Sequence, residues 1–140
     1  MGTDRATRVL QGFLVFAVLS SIVHYTDNFI RYDQYPQDDP KLVAQPTIPI
    51  SWVVFTVFAY LGYRWFKEGR DRRAAAALAF YSVSGLISPL HYTSGALSEF
   101  DALQHTFIAT DGVAGLLVLG YAFWLLGREH PAPGTWRMSR

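Results

Sequence analysis

Apolar residues gather along this chain into four stretches almost free of charge, and the polar residues that interrupt them fall towards one end of the stretches. No Asp, Glu, Lys or Arg occurs between residues 9 and 26, 42 and 63, or 74 and 98, and between 102 and 127 the one such residue is Asp111. A membrane-crossing helix needs about 20 mainly apolar residues. The pattern therefore predicts helices over residues 9–31, 48–66, 74–94 and 102–127. The expected fold is all-α, an integral membrane bundle of four antiparallel transmembrane helices forming a single domain over 1–140. Residues 128–140, with two prolines and a glycine, read as a loose tail.

Composition supports that reading. Charged residues are 16% of the chain, against about 25% in an average soluble protein. The mean hydropathy of +0.15 reflects polar loops and tail diluting the apolar runs. There is no cysteine, which removes disulfides, Fe–S clusters and thiolate metal sites. A net charge of +1 gives no basis for nucleic-acid binding. Basic residues precede the first apolar run, but no small-x-small cleavage pattern follows it, so it reads as a retained helix. No nucleotide-binding loop is present, which argues against an ATP-driven role.

Charge also orients the bundle. Arg5, Arg8, Arg64, Lys67, Arg70, Arg72, Arg73, Arg128, Arg137 and Arg140 fall on one side of the four runs, and only Arg31 and Lys41 on the other. Basic loops stay cytoplasmic, so both termini are expected in the cytoplasm, which in a bacterium means an inner-membrane protein. The basic second loop reads as topology charge. The first loop, punctuated by Pro36, Pro40, Pro46 and Pro49 and carrying Asp38-Asp39, should be exposed outside.

The chemistry lies in the outer half. His24, Asp27, Asn28 and Arg31 share one face of the first helix, at offsets of 3, 4 and 7, and Ser20 and Ser21 extend the stripe inward. Ser84, Ser88 and His91 share a face of the third helix, where Pro89 should kink the backbone and free the Gly85 carbonyl. The fourth helix carries Asp101 with His105, then Gln104 with Asp111, the most deeply placed acid. Ionisable groups at membrane depth cost several kcal/mol unless they face the bundle interior, pair or reach water. His24, Asp27, Asn28, His91, His105 and Asp111 are thus the candidate ligand-binding residues. The expectation is a polar pocket between helices 1, 3 and 4 that opens outward.

Several readings stay open. His24 with Asp27 could be a structural clasp, and Arg31 with Asp33 an interfacial pair. Catalysis would fall to His24, Asp27, His105 or Asp111. His24, His91 and His105 are candidate metal ligands for zinc or iron, or for haem, although neither Glu-x-x-His nor His-Glu-x-x-His is present. No cofactor is the leading expectation. The Gly112–Gly115 face of the fourth helix could dock a larger membrane complex or a second copy. His130 has no assigned role.

Tyr35-Pro36 after a His/Asp-bearing first helix, a long outer loop, and Tyr81-Ser82-Val83 with Pro89 in the third helix resemble the EXPERA group, the four-helix membrane proteins around emopamil-binding protein and the sigma-two receptor. DoxX-like proteins are similar in layout. The EXPERA resemblance covers residues 15–92 and implies that Asp27 is a pocket acid meeting an amine or a carbocation-like ligand. Those proteins carry a functional acid in the second helix, where this chain has Phe55 and Phe58. Together these features favour a small membrane protein binding a hydrophobic ligand, such as a lipid or isoprenoid, or serving as an accessory subunit. The alternatives are an acid–base enzyme on such a lipid and a metal or haem subunit.

Overall fold

A computed structural model describes residues 3–35 and 44–128. Pro36, Asp38, Asp39, Pro40, Lys41, His130 and the tail beyond Arg128 lie outside the described residues. Four long helices form, α1 (Thr3–Ile30), α2 (Thr47–Lys67), α3 (Asp71–Leu86) and α4 (Ala102–Arg128), with short 3₁₀ turns at Tyr32–Gln34, Ser88–Thr93 and Leu97–Glu99. Helix α1 begins six residues before the expected boundary, because Asp4 and the residues around it continue the helix through a polar first turn. Asp4–Ile30, Asp71–Thr93 and Ala102–Arg128 are long and apolar enough to cross a membrane. The 21-residue α2 is not among these three, and Trp52, Tyr60, Tyr63, Arg64 and Trp65 interrupt its aliphatic residues.

The helices pack in a ring, each against the next in sequence and α1 against α4, with α1 and α3 nearly out of contact. The bundle is apolar outside and mixed inside. Val15, Leu19, Ile22, Val53, Val57, Leu116 and Phe123 point outward, while Ser20, Ser21, His24, Ser82, Ser84, Ser88, Gln104 and Asp111 are buried. Water would drive the reverse arrangement. In lipid, outward apolar side chains lose nothing, and polar ones gather where they can pair.

The α3–α4 seam is the closest approach. A Cβ added at Gly85 would sit 2.3 Å from the Asp111 backbone oxygen, and one at Gly115 would sit 2.8 Å from the Ser82 oxygen. Gly112 meets Pro89 in the same seam, so the Gly112–Gly115 face is buried against α3, not exposed for a partner as the sequence suggested. Small residues on both helices let the backbones touch, and this contact carries Asp111 into the interior.

Helix α3 was expected to run through to residue 94 with a kink. It stops at Leu86 and rewinds as the 3₁₀ turn Ser88–Thr93. Pro89 has no N–H to offer Gly85, and Leu90 N–H instead donates to the Ile87 carbonyl. Residues three apart eclipse in a 3₁₀ helix, so Ser88 and His91 come to one face, towards the interior.

Candidate functional site

The half of the bundle that holds the end of α1 and the start of α4, called the outer half after the expected orientation, is built around Asp111 in its interior. The Ser88 hydroxyl donates to Asp111 Oδ2 at 2.8 Å, and His24 Nδ1 lies 3.4 Å from the same oxygen. His24 and Asp111 are 2% and 1% exposed, which rules out solvent as the partner that stabilises them. The distance of 3.4 Å exceeds a good N–H···O bond, so the His24–Asp111 pair is held slightly open. Among the described residues His24 Nδ1 and Gln104 Nε2 are buried atoms with no hydrogen-bond partner, and the buried Tyr81 hydroxyl has only Ser21 beside it. Most buried polar groups are satisfied, so this cluster holds hydrogen-bonding capacity in reserve.

The sequence suggested His24 with Asp27. The two share a helix face, but α1 turns His24 into the bundle, and Asp27 joins a second group at the outer rim. Arg31 Nε donates to Asp27 Oδ1 at 2.7 Å, and Arg31 also pairs with Asp101 at the start of α4. The Tyr35 hydroxyl donates to Asp27 Oδ2 at 2.6 Å. Arg31 thus ties α1 to α4 and does not pair with Asp33 as expected, because Asp33 sits on an exposed face of the following turn. Asp27 and then Asp101 hold the guanidinium more firmly protonated than usual. Asp101 is held below the usual carboxylate range by the Gln104 backbone N–H first and Arg31 second. Burial, then the bond to Asp27, pushes the Tyr35 hydroxyl up.

Asp101 and Gln104 also form a reciprocal cap. Gln104 N–H donates to Asp101 Oδ1 at 2.8 Å, and Asp101 N–H donates to Gln104 Oε1 at 2.9 Å. This satisfies two otherwise orphaned N–H groups at the start of the helix and uses Gln104 Oε1 on α4 itself, while Nε2 stays buried without a partner.

Asn28 and His91 are half-buried, with Asn28 Nδ2 3.2 Å from His91 Nε2. The His24 and His91 rings lie 5.6 Å apart, and Tyr35 packs on both. Phe100 abuts Tyr35, Tyr92 and His105. His105 sits beyond Phe100, with its Nδ1 2.9 Å from the Tyr92 hydroxyl. Tyr35, Phe100 and Tyr92 thus roof the cluster with Ile108 beneath them. This aromatic layer packs against His24 and His91 where an outward-opening pocket was expected, and the Asn28–His91 pair beside it is half-buried.

The three histidines do not face a common point, since Phe100 and Tyr92 engage His105 apart from the other two. Among the described residues no group of three or more His, Asp or Glu could hold a metal ion. Tyr35, Tyr81, Tyr92 and Ser88 complete the arrangement. Ser88 was visible in the stripe with His91. Tyr35 and Tyr81 entered only through the resemblance, with no role attached, and Tyr92 gave no signal, because an aromatic residue in an apolar run reads equally well as packing or as an interfacial belt.

Fold and site together define a small helical membrane-associated protein with a buried His–Asp pair inside a polar cluster. Compared with protein-family models, with curated proteins and with solved structures, the chain matches none of them.

Proposed function

We propose that this chain is a four-span, antiparallel integral membrane protein with both termini cytoplasmic, and that its outer-half cluster binds the polar head of a small hydrophobic ligand, a lipid or isoprenoid. One observation carries the proposal: beside the buried Asp111, His24 Nδ1 lies 3.4 Å from the carboxylate and makes no hydrogen bond. A ligand hydroxyl or carbonyl entering along the Asn28–His91 edge would meet donors and acceptors already placed, while its apolar body stays among the aliphatic side chains. The α2 span follows from its 21-residue length and its place in the ring between α1 and α3. The ten-to-two division of basic residues gives the orientation.

A second reading has its own support. Ser88 and His24 converge on one oxygen of Asp111, an arrangement in which a carboxylate orients an imidazole for proton transfer to a bound lipid.

The test is mass spectrometry of lipid extracts from the detergent-purified protein beside Asp111→Asn and His91→Ala. The expected result is one hydrophobic species near stoichiometry in the wild type, depleted in both variants. Equal lipid content in all three, with lowered thermal stability in the variants alone, would make the cluster purely structural. Labelling single cysteines introduced at Glu68 and Ser98, into a chain that has none of its own, reads the orientation separately.

A further inference from the structure

A second feature lies away from the His–Asp cluster, in the other half of the bundle. A groove of about 460 Å³ runs between α1 and α2, lined by Leu14, Val15, Val18, Leu19, Ala59 and Tyr60. Its volume is that of a small-ligand site, yet its walls are almost wholly apolar. Gln11 and Tyr63 close one end, with Gln11 Nε2 donating to the Tyr63 hydroxyl at 2.8 Å. From Gln11 to Leu19 the groove is ~12 Å long at ~1.5 Å per residue. That is close to the ~15 Å of one leaflet's hydrocarbon, half of a ~30 Å core.

The charge at the closed end names the occupant. Arg8 precedes Gln11 by one helical turn, and Lys67 follows Tyr63 by one turn, so both stand just beyond the Gln11–Tyr63 bond on the faces that form the groove. Both are exposed, while the neighbouring Arg64 is paired with Glu68. An apolar groove close to one leaflet in length, ending under two cations, matches a lipid with an acyl chain and an anionic head.

We infer that the α1–α2 groove is a binding site for an anionic phospholipid of the cytoplasmic leaflet, with the acyl chain along Val15 and Leu19 and the phosphate between Arg8 and Lys67. The leaflet assignment rests on the proposed orientation; the site itself does not, and it is independent of the His24–Asp111 cluster.

The experiment is native mass spectrometry of the full chain in detergent, titrated with phosphatidylglycerol or phosphatidylcholine of the same acyl chains. The wild type should take up one phosphatidylglycerol at roughly tenfold lower concentration than phosphatidylcholine. Arg8→Gln with Lys67→Gln should erase the preference. Val15→Trp, which fills the groove at a position 60% exposed and so open to bulk, should abolish the single adduct while leaving the helical circular dichroism unchanged. Equal uptake of the two lipids overturns the inference. So does a preference that survives Val15→Trp, which would reduce it to general attraction by the basic surface. Reversed cysteine labelling would move the site to the other leaflet without altering these titrations. Loss of the ligand at the outer cluster would leave them unchanged.

Discussion

The two ends of the bundle solve the same packing problem with different materials. In the inner half, Ala6, Leu10, Leu78, Val118 and Leu125 fill the interior, and the charged groups stay at the periphery, as in the Arg128–Asp71 and Arg64–Glu68 pairs. The main polar intrusion there is the Tyr121 hydroxyl, which donates to the Ala6 carbonyl. In the outer half, the interior holds His24, Asp111, Ser88 and Gln104 beneath a roof of Tyr35, Phe100 and Tyr92. The same helices run through both halves, so the fold alone does not require the outer arrangement. An apolar interior fills the inner half of the same helices, so the buried polar groups of the outer half are the part that apolar packing does not account for.

The seam that joins the halves is the place to break this comparison most severely. Gly85→Ala would drive a Cβ to within 2.3 Å of the Asp111 carbonyl oxygen, forcing α3 and α4 apart. We expect a loss of about 3 kcal/mol or more. Gly120→Ala, with nothing within 4 Å of its Cβ, should change stability by less than ~1 kcal/mol. Thermal unfolding of both variants in one detergent decides it. Equal melting would mean that the glycines do not set the seam.

The next contrast sets one buried side chain from each half against the other. Asp111→Ala strands Ser88 and His24 and should cost roughly 3 kcal/mol. Leu125→Ala in the inner core should fall at the low end of the ~2–5 kcal/mol seen for such truncations in water, because lipid leaves little transfer free energy to lose. Asp111→Asn keeps an acceptor for Ser88 and should lie between wild type and Asp111→Ala. Denaturant unfolding in mixed micelles gives the ranking, and a larger loss for Leu125→Ala would make the inner half the dominant stabiliser.

The smallest effect belongs to the outer rim and depends on pH. The Asp101 carboxyl is depressed in the folded state by Gln104 and Arg31. Its contribution is therefore complete above the ordinary carboxylate pKa of about 4 and is lost as pH falls through the lower folded value. Wild-type melting temperature should drop below about pH 4 more steeply than that of Asp101→Asn. Parallel profiles would remove Asp101 as a contributor. The exposure of the pair keeps the difference modest.

The polar faces were legible as sets, but the pairings were not. Offsets of 3, 4 and 7 placed His24, Asp27, Asn28 and Arg31 on one side of α1, yet His24 meets Asp111 while Asp27 meets Arg31 and Tyr35. Periodicity gives the direction of a side chain from its own helix. It carries no information about which neighbour stands opposite, or how deep. Gly112 and Gly115 illustrate the same limit: small residues announce a close contact, and only packing assigned it to Gly85 and Ser82 of α3.

What the sequence by itself determined is the apolar helices, the basic end and the polar end, because those follow from local composition and the 3.6-residue repeat. Pro89 also announced a break in α3. Only the tertiary structure decided that the break becomes a 3₁₀ turn, that an aromatic layer packs against His24 and His91 where a pocket was expected, and that His105 stands apart from those two. Each of those outcomes depends on contacts between residues far apart in sequence, where the closeness of two backbones at Gly85 and Gly115 sets which side chains can meet.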